Sequence, residues 1–329
     1  MQVNPSVARH TSVLVTGGLG FIGGHLVDRL VAIGVSEIRV LDNNKRAVCA
    51  SKVWPRTAVS RHNVDIRDYK SLKPLMQGSQ IVFHLAAQSK VLSSVSDPDY
   101  NFNTNVEGTR NVLQAAGKFG VRRVVFTSSR EVYGNRDRTP TSEDTALSPI
   151  NEYGASKAAG EMYCHAATEY GELEVSILRL ANVYGPYDQD RVIPLFVQAA
   201  LQDHPLVLYG GNQFIDFVWI DTVIDALLKV GLGKYVRGPI NIGSGVGVTV
   251  SELAARVLEL VPSKSGCVHK PSSAVEVKEF VADTRLAQRL LGTPVVQDPL
   301  LHLPEVIGWA RSADSLVSDR DAPNAQDSG

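Results

Sequence analysis

Tyr153 and Lys157 lie four residues apart in NEYGASKAAGE, whose apolar spacing predicts a helix, so both side chains fall on one helical face. A phenol beside an ammonium can act as a base once its pKa falls. Moving it from about 10 to near 7 takes roughly 4 kcal/mol of preferential phenolate stabilisation, a task for two nearby positive charges. A surface Tyr/Lys pair with no chemistry fits the same spacing, so the surrounding residues decide between the two.

TSSREVYG (127–134) follows the apolar run VRRVVF and brings a hydroxyl, a carboxylate and a phenol to the expected end of a strand. It reads either as a turn that needs small polar residues or as the working edge of an active site. Glu131 is a base in the second reading. In the first it is one half of a salt-bridged turn with Arg130.

VTGGLGFIGGHL follows the first apolar run and opens a helical pattern. Gly17, Gly20 and Gly23 permit a tight turn and bring backbone close to a pyrophosphate at a helix N-terminus. The second strand ends in Asp42, where a carboxylate can accept hydrogen bonds from both ribose hydroxyls and would repel a 2′-phosphate. That favours NAD over NADP. Lys45 and Arg46 nearby read as a solvated basic turn. The nicotinamide supplies the second positive charge that the phenol needs.

These groups must be held by a scaffold. SVLVT (12–16), EIRVLD (37–42), QIVFHLA (80–86), VVFTSS (124–129) and EVSILRL (174–180) each fit a buried parallel strand. Helical patterns lie between them, with glycine near their ends. The alternation predicts an α/β fold, a doubly wound parallel sheet whose strand ends carry the ligand site. Residues 10–180 form the expected NAD-binding Rossmann domain. Residues 181–312 are expected to be a smaller, mixed α/β substrate-binding region, with about 214–243 returning to the first sheet. The tail 313–329 has few large apolar residues and is expected to be disordered.

Composition closes off other classes. A chain of 329 residues with 44% apolar residues can bury a sizeable core, and a net charge of −1 lacks the basic footprint of a nucleic-acid binder. Three scattered cysteines suit free thiols in a reducing compartment. No apolar run reaches membrane-spanning length, the opening segment lacks a signal peptide's apolar core, and the eight histidines show no metal-ligand spacing. A cytoplasmic protein with no metal is the expectation.

Together the glycine turn, DIRD (65–68), HLAAQ (84–88), NVEGT (105–109), SSREVYG, the Tyr153/Lys157 pair and LANVYGP (180–186) resemble the extended short-chain dehydrogenase/reductase family. Within it, the chain is similar to the nucleotide-sugar epimerases and dehydratases, over about residues 12–312. The resemblance implies NAD held by Gly17, Gly20, Phe21, Ile22, Gly23, Asp42, Asn43, Asp65, Ile66, Leu85, Ala86, Ala87, Asn105, Tyr153 and Lys157. It makes Ser129 the group that hydrogen-bonds the sugar's reacting hydroxyl and Tyr153 the base that removes its proton, giving a 4-keto sugar. Val132, Tyr133 and Gly134 would be structural, with Tyr133 either packing near the sugar or contacting the ligand. It also implies a homodimer paired through helices near 101–118 and 151–170.

The expected reaction is 4-epimerisation of a nucleotide-diphosphate sugar, with a 4,6-dehydratase or glucuronate decarboxylase using Glu131 as the alternative. Oxidation or reduction of a non-sugar alcohol is a more distant one. Arg130 stands where familiar glucose 4,6-dehydratases place an acidic aspartate, and a guanidinium cannot deliver that proton. The resemblance draws the substrate contacts from Ser89, Lys90, Ser129, Arg130, Asn182, Arg191 and Tyr209. Two phosphate-binding arginines usual in the family are missing, with Ile215 at one position and Ser273 and Ala274 near the other. Either Arg191, Lys90, Arg179 or Lys270 compensates, or the substrate sits differently.

Overall fold

The computed structural model describes residues 10–135, 140–171, 173–264, 266–271 and 277–318, without the side chains of 313–318. In chain order the first strands are β1 (Ser12–Thr16), β2 (Glu37–Asp42), β3 (Val59–Asn63), β4 (Ile81–His84), β5 (Arg123–Ser129) and β6 (Glu174–Leu180). There follow β7 (Asn182–Tyr184), β8 (Leu206–Tyr209), β9 (Phe214–Trp219), β10 (Gly238–Ile242), β11 (Gly247–Thr249), β12 (Cys267–Lys270) and β13 (Glu279–Phe280). The helices of the first half are α1 (Phe21–Ala32), α2 (Tyr69–Leu72), α3 (Val91–Ser96), α4 (Pro98–Phe102), α5 (Gly108–Lys118) and α6 (Glu152–Tyr170). The second half adds α7 (Val192–Leu201), α8 (Ile220–Leu232), α9 (Val250–Leu260), α10 (Arg285–Leu291) and α11 (Leu303–Ser318).

The main sheet is parallel throughout, in the order β10-β6-β5-β4-β1-β2-β3. Its inner strands are apolar on both faces because helices cover both. Val13, Val15, Phe83 and Val125 face α1 and α8, while Leu14, Val82, Val124 and Phe126 face α5 and α6. Strand–helix alternation builds a Rossmann-type, doubly wound sheet. All five strands expected from apolar runs are present, and the sheet adds two more, β3 and β10, at its edges.

A second lobe packs its own core from Ile193, Phe196, Val197, Leu206, Leu208, Phe217, Leu253, Val257, Leu303 and Val306. Strands β7, β9, β11 and β13 form one small sheet there, and β8 pairs with β12. The segment 214–243 divides: β9 belongs to the small sheet, whereas α8 and β10 return to the main sheet. Helix α11 runs to Ser318, and so overlaps the first residues of the segment read as a tail. Residues 319–329, like Ser273 and Ala274, lie outside the described residues. Among the described residues no helix is long and apolar enough to cross a membrane, and no cluster of His, Cys, Asp or Glu could hold a metal ion.

Candidate active site

A cleft of about 1110 Å3 opens over the carboxyl ends of β1, β2, β4 and β5 and reaches into the second lobe. Its nucleotide end follows from the glycine turn. Gly17 has φ +68, and a Cβ added to Gly23 would stand 2.1 Å from the Gly17 carbonyl oxygen. A Cβ on Gly17 itself would meet the Ala86 nitrogen at 2.7 Å. Only glycine permits this approach of turn, helix and loop. Gly20 caps α1 without a side-chain bond, and the first turn holds no acidic residue, so its N–H groups are free to meet an anion.

Asp42 lies on the cleft wall at the end of β2, accepting from the backbone N–H groups of Leu19 at 3.0 Å and Asn44 at 2.9 Å. Phe21, Ile22, Asn43, Ile66, Ala86 and Ala87 line the same end. A glycine cradle, an uncapped helix terminus, a ribose-facing carboxylate and an apolar wall fit a dinucleotide. The three other expected cofactor residues stand behind the wall. Leu85 backs Gly17, and Asn105 is buried, accepting from the Gln88 N–H and donating to its carbonyl. Partial burial pushes Asp65 up, but hydrogen bonds from Arg67 and Asn43 outweigh it and hold the carboxyl at about 2.

The basic turn beyond Asp42 is exposed, and its cations also meet protein groups. Lys45 sits over the Tyr100 ring at 3.3 Å, and Arg46 donates to Ser89 at 3.0 Å and pairs with Asp190. Both cations are engaged by the protein.

At the reacting end, β5 delivers Ser129 and α6 delivers Tyr153 and Lys157. Asn151 caps α6 by accepting from the Gly154 N–H at 2.8 Å, a cap worth about 1 kcal/mol. The same Asn151 donates to Glu131 Oε2 at 2.8 Å, while Arg130 pairs with Glu131 Oε1 at 3.0 Å. Glu131, at 4% exposure, thus has a partner on each oxygen. The hydroxyls of Tyr153 and Ser129 share a hydrogen bond.

The Tyr153 phenol is not lowered within the protein alone. Burial pushes it above its ordinary range and outweighs the Ser129 hydrogen bond and the charges of Arg191 and Arg130. Lys157 is itself buried, which brings its ammonium down to about 8, and it donates to the Thr127 carbonyl at 2.8 Å.

The expected substrate residues Ser89, Lys90, Ser129, Arg130, Asn182, Arg191 and Tyr209 all line the cleft. Ile215 lines it too, leaving apolar surface where the family's arginine is expected. Three other candidate residues lie off the cleft wall. Arg179 is buried in a paired hydrogen bond with Glu161 and also bonds Tyr133, so it braces β6 and does not meet the cleft. Tyr133 donates to Asn241 at 2.7 Å and is fully buried off the cleft wall, in keeping with a structural residue and without the alternative ligand contact. Lys270 lies on exposed β12, off the cleft wall.

Sequence reading passed over Gln88, Thr104, Asp188 and Asp190, all on the cleft wall. Gln88 Oε1, Thr104 Oγ1 and Asp188 Oδ2 are buried with no hydrogen-bond partner among the described residues, as in a site built to receive polar groups. Thr16 and His84 were missed as well. The Thr16 hydroxyl lies 2.8 Å from His84 Nδ1 and accepts from the Ala86 N–H, which fixes the loop beyond β4 against β1. Burial brings His84 down to about 3, so it is neutral and purely structural.

Residues 13–243 match the family model described as the NAD dependent epimerase/dehydratase family. The UDP-glucose 4-epimerase of Mycolicibacterium smegmatis is 33% identical over 287 residues, covering 85% of this chain and 92% of the relative. The UDP-N-acetyl-alpha-D-glucosaminuronate decarboxylase of Bacillus cytotoxicus is 35% identical over 274 residues, covering 80% and 84%. Among solved structures, the dTDP-glucose 4,6-dehydratase DesIV of Streptomyces venezuelae, with NAD bound, superposes at a TM-score of 0.87 with 31% identity, covering 93% of this chain and 98% of its own. The chain is therefore an enzyme of the NAD-dependent epimerase/dehydratase family, of the extended short-chain dehydrogenase/reductase type.

Proposed function

We infer that this enzyme is a nucleotide-sugar 4-epimerase. The observation that carries the reading is the state of Glu131, whose two oxygens are taken by Arg130 and Asn151. A 4,6-dehydratase needs that carboxylate as a base toward the C5 proton, and a decarboxylase, which breaks the C5–C6 bond, could use it only in handling the proton that replaces carbon dioxide at C5. An epimerase needs only Ser129, Tyr153 and Lys157, and leaves Glu131 to hold the start of α6.

NAD, held by the glycine turn, Asp42 and Lys157, supplies a hydride acceptor and donor and a positive charge. The chain's own part is the proton. Ser129 orients the C4 hydroxyl through a hydrogen bond, and Tyr153 takes its proton and later returns it. Lys157 supplies one positive charge that favours the phenolate. The wide cleft gives a flat keto sugar room to turn its other face before the proton returns. Lys90, Asn182, Arg191 and Tyr209 would face the nucleoside diphosphate, and Ser89 and Arg130 the sugar.

The lyase reading keeps one observation in its favour: Glu131 lies on the cleft wall beside Ser129. Mass spectrometry of products from UDP-, TDP-, GDP- and CDP-sugars, uronic acids included, separates the two. A new chromatographic peak of unchanged mass supports epimerisation, with Glu131→Gln retaining most activity. Loss of water or carbon dioxide, abolished in Glu131→Gln, would replace this reading with a dehydratase or decarboxylase.

The reading includes a cytoplasmic homodimer. Free cysteines are in keeping with a reducing compartment. Phe102, Met162 and Tyr163 leave apolar surface exposed on the helices expected to pair.

A further inference from the structure

Across the cleft mouth, the two lobes are joined by an ionic cluster centred on Asp190, none of whose pairs takes part in the proton chemistry. Lys90 Nζ stands 2.9 Å from Asp190, and Arg46 pairs with the same carboxylate while donating to Ser89 at 3.0 Å. The neighbouring Arg191 pairs with Asp188 at 2.9 Å. Of the other cations on the cleft wall, Lys45 is committed to Tyr100, Arg130 to Glu131 and Lys157 to Thr127. Arg46, Lys90 and Arg191 remain, and both carboxylates that hold them come from one short segment before α7.

We propose that Asp190 is a stand-in anion: it occupies Lys90 and Arg46 until the diphosphate of the substrate displaces it, and those two residues with Arg191 do the work of the missing arginines. The proposal rests on the nucleotide-sugar reading above. Asp190 is charged at neutral pH, since hydrogen bonding to Lys90 and the charge of Arg46 outweigh the upward push of partial burial. Its pairs are about two-fifths exposed, at 39% for Asp190, 41% for Arg46 and 42% for Lys90. Ion pairs at that exposure are weak and readily exchanged. A diphosphate brings more charge and more acceptor oxygens than one carboxylate, and it matches the fork of a guanidinium. Exchange would free Asp190 from the nucleotide lobe and fasten the ligand to both lobes at once.

The test titrates NAD-loaded wild type, Asp190→Asn and Asp221→Asn with inorganic pyrophosphate and then with UDP, dTDP, GDP and CDP, by calorimetry. Asp221→Asn makes the same charge change at a surface pair with Arg29, outside the cleft. Asp190→Asn is expected to bind pyrophosphate and one nucleoside diphosphate about three- to tenfold more tightly than wild type, with Asp221→Asn unchanged. Lys90→Ala is expected to lose affinity in both the wild-type and Asp190→Asn backgrounds. Equal or weaker binding by Asp190→Asn overturns the stand-in role while leaving the nucleotide-sugar reading intact. A gain seen only when NAD is titrated into cofactor-free protein assigns the displacing phosphates to the cofactor and also overturns it. Failure of every nucleoside diphosphate to bind either protein removes the nucleotide-sugar reading, and this proposal with it.

Discussion

The ammonium of Lys157 donates to the carbonyl of Thr127 at 2.8 Å, which pins α6 to the end of β5 beside Ser129. One buried cation thus ties the helix that carries Tyr153 to the strand that carries Ser129. It does so at a cost, because burial lowers its pKa from 10.5 to about 8.

Lys157→Met should abolish turnover yet stabilise the fold. A lysine whose folded pKa is depressed imposes its full penalty below pH 8, and the penalty fades as pH climbs from 8 towards 10.5. The gain should approach about 3 kcal/mol at pH 7, less the lost bond to Thr127, and shrink steadily above pH 8. Denaturant unfolding across that range checks it. A difference independent of pH would mean that Lys157 is not the titrating group.

Tyr153→Phe removes the proton acceptor and keeps the ring. A fall in kcat of about 10²–10⁴ is expected, with bound nucleotide retained at the wild-type level. Nucleotide content by absorbance, beside turnover, provides the check, and near-normal activity would take the base role from Tyr153.

Asp42→Ala removes the carboxylate at the end of β2 and frees the N–H groups of Leu19 and Asn44. Affinity for NAD should drop by about 10- to 100-fold, and the preference for NAD over NADP should narrow. Titration of both dinucleotides into nucleotide-free protein measures this. An unchanged ratio would place the discrimination elsewhere.

Most of the fold was legible because the inner strands are buried on both faces and so read as unbroken apolar runs. The strand overlooked, β3, reads VSRHN and is largely exposed at one edge of the sheet, where polar residues suffice. At the other edge, β10 begins with Gly238 and Pro239, which conceal a strand in sequence but are tolerated where one side is unpaired. At the site, the glycine turn and the Tyr/Lys pair were readable because their chemistry needs a fixed local spacing. Arg179 misled, since its charge suggested a phosphate while its partner, Glu161, approaches from a different element. Asp190 was invisible for the same reason: Arg46 and Lys90 reach it from across the fold, and no local pattern announces a long-range ion pair, whereas Asp188 pairs with Arg191 only three residues on.

The return of α8 and β10 to the main sheet bears on how such an enzyme can be rebuilt. A cut after β6 would strip the nucleotide lobe of an edge strand and bare Phe83 and Val125 to water. The substrate lobe is therefore not a cassette to be traded whole between relatives. New specificities must be acquired by replacements inside the interwoven chain, at positions such as Ile215 and the segment before α7, and heat should melt both lobes in one cooperative transition.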